Sequence, residues 1–91
     1  MTVRVRFFAT YRRLFGAKES AVELPEGAGL KDLLDLVCDT PERRAEVFNE
    51  GRLRGHVVVL VNGLPADPSD SPAARLKDGD TVAVFPFLGG G

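Results

Sequence analysis

The chain has 91 residues, of which 44% are hydrophobic and 27% charged, the size and balance of one compact domain with room for a single core. Its 12 lysines and arginines against 13 aspartates and glutamates leave a net charge of −1, which argues against the basic footprint of a nucleic-acid binder and the acidic excess of a solvating tail. No apolar run approaches the roughly 20 residues that span a bilayer, the opening MTVRVRFF lacks the pattern of a secretory leader, and a lone cysteine, Cys38, can form no internal disulfide. A cytoplasmic protein with neither nucleic-acid nor membrane partners is expected.

Val3, Val5 and Phe7 alternate with Arg4 and Arg6, which predicts a strand at about residues 3–8 with one face on a core. Leu14 and Phe15 follow Tyr11 at helical spacing and Gly16 ends that short turn. Ala21, Val22 and Leu24, before Pro25 and Gly27, predict a second strand over about 18–24 that returns antiparallel to the first. Leu30, Leu33, Leu34 and Val37 recur at helical spacing with Lys31, Asp32 and Asp35 opposite, an amphipathic helix over about 29–39.

Pro41 stops or restarts that helix, and a shorter polar helical segment runs to about Phe48. The run from Val57 to Val61 is five consecutive β-formers and reads as a central strand buried on both faces. Asn62 and Gly63 make a turn, and Pro65, Pro68 and Pro72 mark a loop up to Ala74. KDGD, residues 77–80, is a tight turn before a last strand from Thr81 to Phe85. The expected fold class is α+β, a mixed sheet packed on one main helix, since one helix stripe and one sheet face close a two-layer core. The first and last strands can lie side by side in its middle, although the pattern does not set the strand order.

Self-contained catalysis finds no support. Cys38 sits at the end of an apolar helical stripe, where a thiol is a core or boundary residue and not a nucleophile. His56 is the single histidine and has no partners spaced for a metal or an acid–base pair, so it reads as a capping or surface residue. The glycines of EGAGL and NEGRLRG match no phosphate-binding pattern. Asp32 with Asp35, and Asp78 with Asp80, read as solvated charge on a helix face and in a turn. No catalytic residue, bound cofactor or metal is expected.

The end of the chain is different. Phe85, Pro86, Phe87 and Leu88 run directly into Gly89, Gly90 and Gly91 without a polar spacer. Leu88 to Gly91 can extend about 13–14 Å, and glycines without Cβ atoms can thread a narrow channel while a partner grips their backbone. The Gly91 carboxylate would then be the reactive group, once its oxygen is converted into a leaving group by attack on a nucleotide phosphate. We expect a domain over residues 1–86 and a flexible tail over 87–91, with Phe85, Phe87 and Leu88 as partner-binding residues. The alternation of the last strand could equally turn Phe85 inward.

HVVVLVNG followed by LKDGDTVAVFPFLGGG resembles the MoaD and ThiS sulfur carriers, ubiquitin-like β-grasp proteins ending in diglycine. The opening VRVRFFATYRRLFG resembles the first strand and short helix of MoaD, so the likeness covers nearly the whole chain. In the MoaD tail pattern, Phe-Pro-Pro-Val-Ser/Thr-Gly-Gly, Phe87 stands at the second proline and Gly89 at the Ser/Thr, while Gly90 and Gly91 match the diglycine. The resemblance implies adenylation of Gly91 by an E1-like adenylyltransferase of the MoeB or ThiF type, with the ATP used by that partner. A C-terminal thiocarboxylate would follow, with Gly89 and Gly90 threading into the partner. It also implies a sulfur acceptor such as the large subunit of molybdopterin synthase, in molybdenum or tungsten cofactor biosynthesis. The segment AEVFNEGRLRGHVVVLVNG favours MoaD over the shorter ThiS-like chains. Sulfur supply to thiamine, tRNA thiolation or cysteine synthesis, conjugation of Gly91 to lysines as a protein modifier, and a plain interaction domain remain alternatives.

Overall fold

The computed structural model describes residues 1–69 and 75–87. Strand β1 (Thr2–Phe7) buries Val3, Val5 and Phe7 and turns Arg4 and Arg6 outward, the pleat that its alternation demands. Helix α1 (Tyr11–Phe15) closes on Gly16, whose φ of 73° is the left-handed conformation that glycine adopts without strain. The Phe15 ring stacks on Phe7 at 4.4 Å, so this single turn is held by the core and not by propensity. Strand β2 (Glu19–Glu23) returns antiparallel to β1, as expected.

Helix α2 (Leu30–Val37) places Leu30, Leu33 and Leu34 fully inside. Its first turn is satisfied by Asp32, whose carboxylate accepts the Gly29 N–H at 2.8 Å. Pro41 restarts the chain as α3 (Pro41–Val47), with Thr40 Oγ1 accepting the Arg43 N–H at 3.2 Å. A hairpin of two-residue strands, β3 (Phe48–Asn49) and β4 (Arg52–Leu53), follows.

Strands β5 (Val57–Val61), β6 (Leu64–Pro65) and β7 (Thr81–Pro86) complete a five-stranded mixed sheet in the order β2-β1-β7-β5-β6. The first and last long strands are parallel neighbours, from Arg4 opposite Thr81 to Phe7 opposite Val84, and β7 is the middle strand. This is the ubiquitin-like β-grasp arrangement, with the helix packed on one face.

Two expectations change. β5 is neither central nor buried on both faces: Val57 and Val59 are buried, whereas Val58 and Leu60 are half-exposed. The helix layer covers only one side of the sheet, so the continuous apolar run serves a core on one face and an open surface on the other. The segment after Gly63 is also not wholly irregular, because Leu64 and Pro65 pair with Val61 and Leu60. Proline is tolerated there because β6 is an edge strand. Residues 70–74 of that expected loop lie outside the described residues.

Along α2, Leu33 is fully buried and Leu36 is 54% exposed. Leu33→Ala is expected to lower the unfolding free energy by about 2–5 kcal/mol, and Leu36→Ala to stay within about 0.5 kcal/mol, as read by denaturant titration. Equal losses would refute the one-sided burial of this helix.

Candidate functional site

Strand β7 precedes the glycine-rich end of the sequence and carries the described part of the site. Its inward residues Val82 and Val84 lie under the helix, while Ala83 and Phe85 turn to the open face. Phe85 is half-buried there, opposite Val58 in the β5 register and with its ring edge-on to Phe8 at 6.1 Å. Of the two orientations its alternation allowed, the outward one is adopted. Leu60 stands opposite Ala83 and extends the apolar surface toward β6.

The rim of this surface is cationic. The guanidinium groups of Arg6 and Arg12 lie 5.3 and 5.6 Å from the centre of the Phe8 ring, an arrangement in which the ring face attracts positive charge. Glu19 approaches both Arg4 and Arg6 at 3.7 Å. Phe8, Val58 and Leu60 were not among the expected contact residues. For Val58 and Leu60 no sequence signal was available, since both lie within the unbroken apolar run from Val57 to Val61.

Phe87 follows β7 and is 63% exposed, and its N–H donates to the His56 carbonyl at 2.6 Å. The other expected tail residues, Leu88, Gly89, Gly90 and Gly91, lie outside the described residues. The glycine-rich terminus thus follows in sequence the strand that carries Phe85 on the open face.

The groups without an expected function fall as follows. Cys38 is buried, and burial pushes its thiol up to about 11, which keeps it protonated and unreactive. Asp78 and Asp80 are more than solvated charge: Asp78 accepts the Thr2 N–H at 2.7 Å, and Asp80 accepts the Lys77 N–H at 2.8 Å and the Asn62 amide at 2.9 Å. Gly79, at φ 86°, donates to the Thr2 carbonyl at 2.8 Å, so the turn fastens β7 to β1. His56 is neither a cap nor a free surface residue. Its Nε2 lies 2.5 Å from Glu46 Oε2, which also accepts the Tyr11 hydroxyl at 2.8 Å.

The His56 hydrogen bond, seconded by that of Tyr11 and opposed by partial burial, holds the Glu46 carboxyl below the usual range. Burial and the bond to Glu46 push the Tyr11 hydroxyl well above its ordinary value. Among the described residues no group of three His, Cys, Asp or Glu could hold a metal ion, and no helix is long and apolar enough to cross a membrane.

Comparison with protein families matches residues 5–91 to the ThiS family. The chain is 35% identical to small archaeal modifier protein 3 of Haloferax volcanii and 34% identical to the molybdopterin synthase sulfur carrier subunit of Chlamydomonas reinhardtii, in each case over all of both chains. It is similar to the solved structure of a putative molybdopterin converting factor, subunit 1, from Pyrococcus furiosus. That likeness has a TM-score of 0.76 at 38% identity and covers 94% of this chain and 97% of the other.

The depressed Glu46 value has a signed consequence. A carboxyl whose folded pKa lies below its unfolded value of about 4.3 contributes stability above that pH, and the contribution is lost as pH falls through the folded value. The stability gap between the native chain and Glu46→Gln should therefore narrow on acidification below about pH 4.3, in urea titrations at stepped pH. A gap that stays constant would contradict this.

Proposed function

The chain belongs to the ThiS family of ubiquitin-like sulfur carriers, which are carrier proteins and not enzymes, and on that premise we propose that it delivers sulfur from Gly91 for molybdopterin synthesis. The observation that carries the reading is the continuity of β7. The strand that sets Phe85 in an apolar surface beside Val58 and Phe8 leads directly through exposed Phe87 to the terminal glycines.

In this reading the Gly91 carboxylate attacks the α-phosphorus of ATP in an E1-like partner, pyrophosphate leaves, and an acyl adenylate remains. A sulfur nucleophile then takes the activated carbonyl and AMP departs: sulfide gives the thiocarboxylate directly, whereas a persulfide gives an acyl disulfide that a thiol cleaves, freeing the thiocarboxylate and leaving the donor sulfur in a disulfide with that thiol. The chain itself supplies no acid, base or cofactor. Its contribution is orientation, with the open face docked and Leu88, Gly89 and Gly90 leading the carboxylate inward. The acceptor is the large subunit of molybdopterin synthase, a choice supported by the name of the full-length Chlamydomonas relative.

Conjugation to protein lysines is the second reading, favoured by the full-length match to an archaeal modifier protein. Both readings begin with the same adenylate and part at the acceptor, amine or sulfur. Lysines bearing a Gly-Gly remnant of this chain in digests of cell extracts would decide for the modifier.

Incubation with an E1-like enzyme, ATP and a sulfur donor should raise the mass of the intact chain by the exchange of one oxygen for one sulfur. A chain lacking Gly90 and Gly91 should show no gain and an unchanged unfolding midpoint. No mass gain in the full-length chain, under conditions that charge a known carrier, would end the sulfur-carrier reading. Phe87→Ala should weaken binding to the activating enzyme about tenfold, or about 1.4 kcal/mol, while unfolding free energy moves by less than about 0.5 kcal/mol. A loss of stability as large as the loss of binding would make Phe87 a fold residue instead.

A further inference from the structure

Pairing of β7 with β1 gives out at Pro86, while pairing with β5 continues past it. In the parallel register with β1, the Phe8 N–H donates to the Val84 carbonyl at 3.3 Å, and the next bond of that ladder needs an N–H at residue 86, which proline lacks. Toward β5, Val57 opposite Pro86 is a position where neither residue bonds across, because bonded pairs alternate. The next bonded position of that ladder is the bond from the Phe87 N–H to the His56 carbonyl. Among the described residues this is the last backbone tether before residues 88–91.

The residue at the far end of that tether is itself held. His56 Nε2 meets Glu46 Oε2 at 2.5 Å, and the same oxygen takes the Tyr11 hydroxyl at 2.8 Å. Tyr11 is 2% exposed, with its ring edge-on to Phe15 at 5.8 Å, so the line ends in the core. The turn that presents His56 is bound to the same end of α3 through Arg54, whose N–H donates to Val47 at 2.9 Å and whose Nη1 donates to Ala45 at 3.0 Å.

We infer that His56, through Glu46 and Tyr11, is a positioning residue that fixes the point from which the terminal glycines are presented. A tail that starts from a fixed point loses less freedom when a partner orders it, and the saving appears in binding and not in the chemical step. The kinetic half of this inference rests on the carrier reading; the structural half does not.

The test compares the native chain with His56→Ala, Glu46→Ala and His56→Gln, whose side-chain amide can still donate to Glu46. Amide exchange followed by NMR should be about tenfold faster at Phe87 in both alanine variants, with the Val5 and Val84 amides unchanged and His56→Gln close to native. With an E1-like enzyme, both alanine variants should show a severalfold higher KM for the carrier at unchanged kcat, again restored in His56→Gln. Phe87 exchange unchanged in His56→Ala, acceleration shared equally by the core amides, or a KM unmoved despite faster Phe87 exchange would each overturn the inference. A native chain that is never charged would instead overturn the carrier reading, and the exchange result would then decide the clamp alone.

Discussion

The parallel pairing of β1 with β7 is the constraint on which the rest depends. Its register, Arg4 with Thr81 through Phe7 with Val84, puts Val5, Phe7, Val82 and Val84 together under α2 and leaves Arg6, Ala83, Phe8 and Phe85 on the other side. The turn at residues 77–80 sets that register through its two central residues, Asp78 accepting the Thr2 N–H and Gly79 donating to the Thr2 carbonyl. A slip of one residue would exchange the two faces along the whole of β7, burying Phe85 and expelling Val84. Core and open apolar face are thus specified by one set of backbone bonds.

A sheet clothed by helix on one side only also accounts for the division of labour. The inner face takes the branched apolar residues and the one thiol, which burial renders inert. The outer face keeps large apolar groups, with the guanidinium groups of Arg6 and Arg12 against the Phe8 ring, a composition that suits water poorly and a partner well.

Much of this was legible in the sequence, for identifiable reasons. The period-2 pattern of Val3, Val5 and Phe7 and the helical spacing of Leu30, Leu33 and Leu34 are local, and each maps onto one face of one element. The order of Phe85, Pro86 and the terminal glycines carried the family resemblance. The outward placement of Val58 and Leu60 was not legible, because an unbroken apolar run has no period from which to infer which faces are covered. Nor were the ties made by Asp78 and Asp80, or the meeting of Tyr11, Glu46 and His56. Glu46 reaches a partner 35 positions away on one side and 10 on the other, and such distances are closed only by the finished fold.

A sheet whose middle strand is also its last long one has a temporal consequence. Until residues 81–86 emerge from the ribosome, the β1–β2 pair and β5 have no common neighbour, and the inward side chains of each have half a core to cover. The contacts that unite them span most of the chain, from Arg4 to Thr81 and from Phe7 to Val84, and non-local pairings of this kind form slowly because a long loop must close first. Folding therefore waits for residues 81–86, so the strand that carries Phe85 on the open face is also the strand that completes the domain.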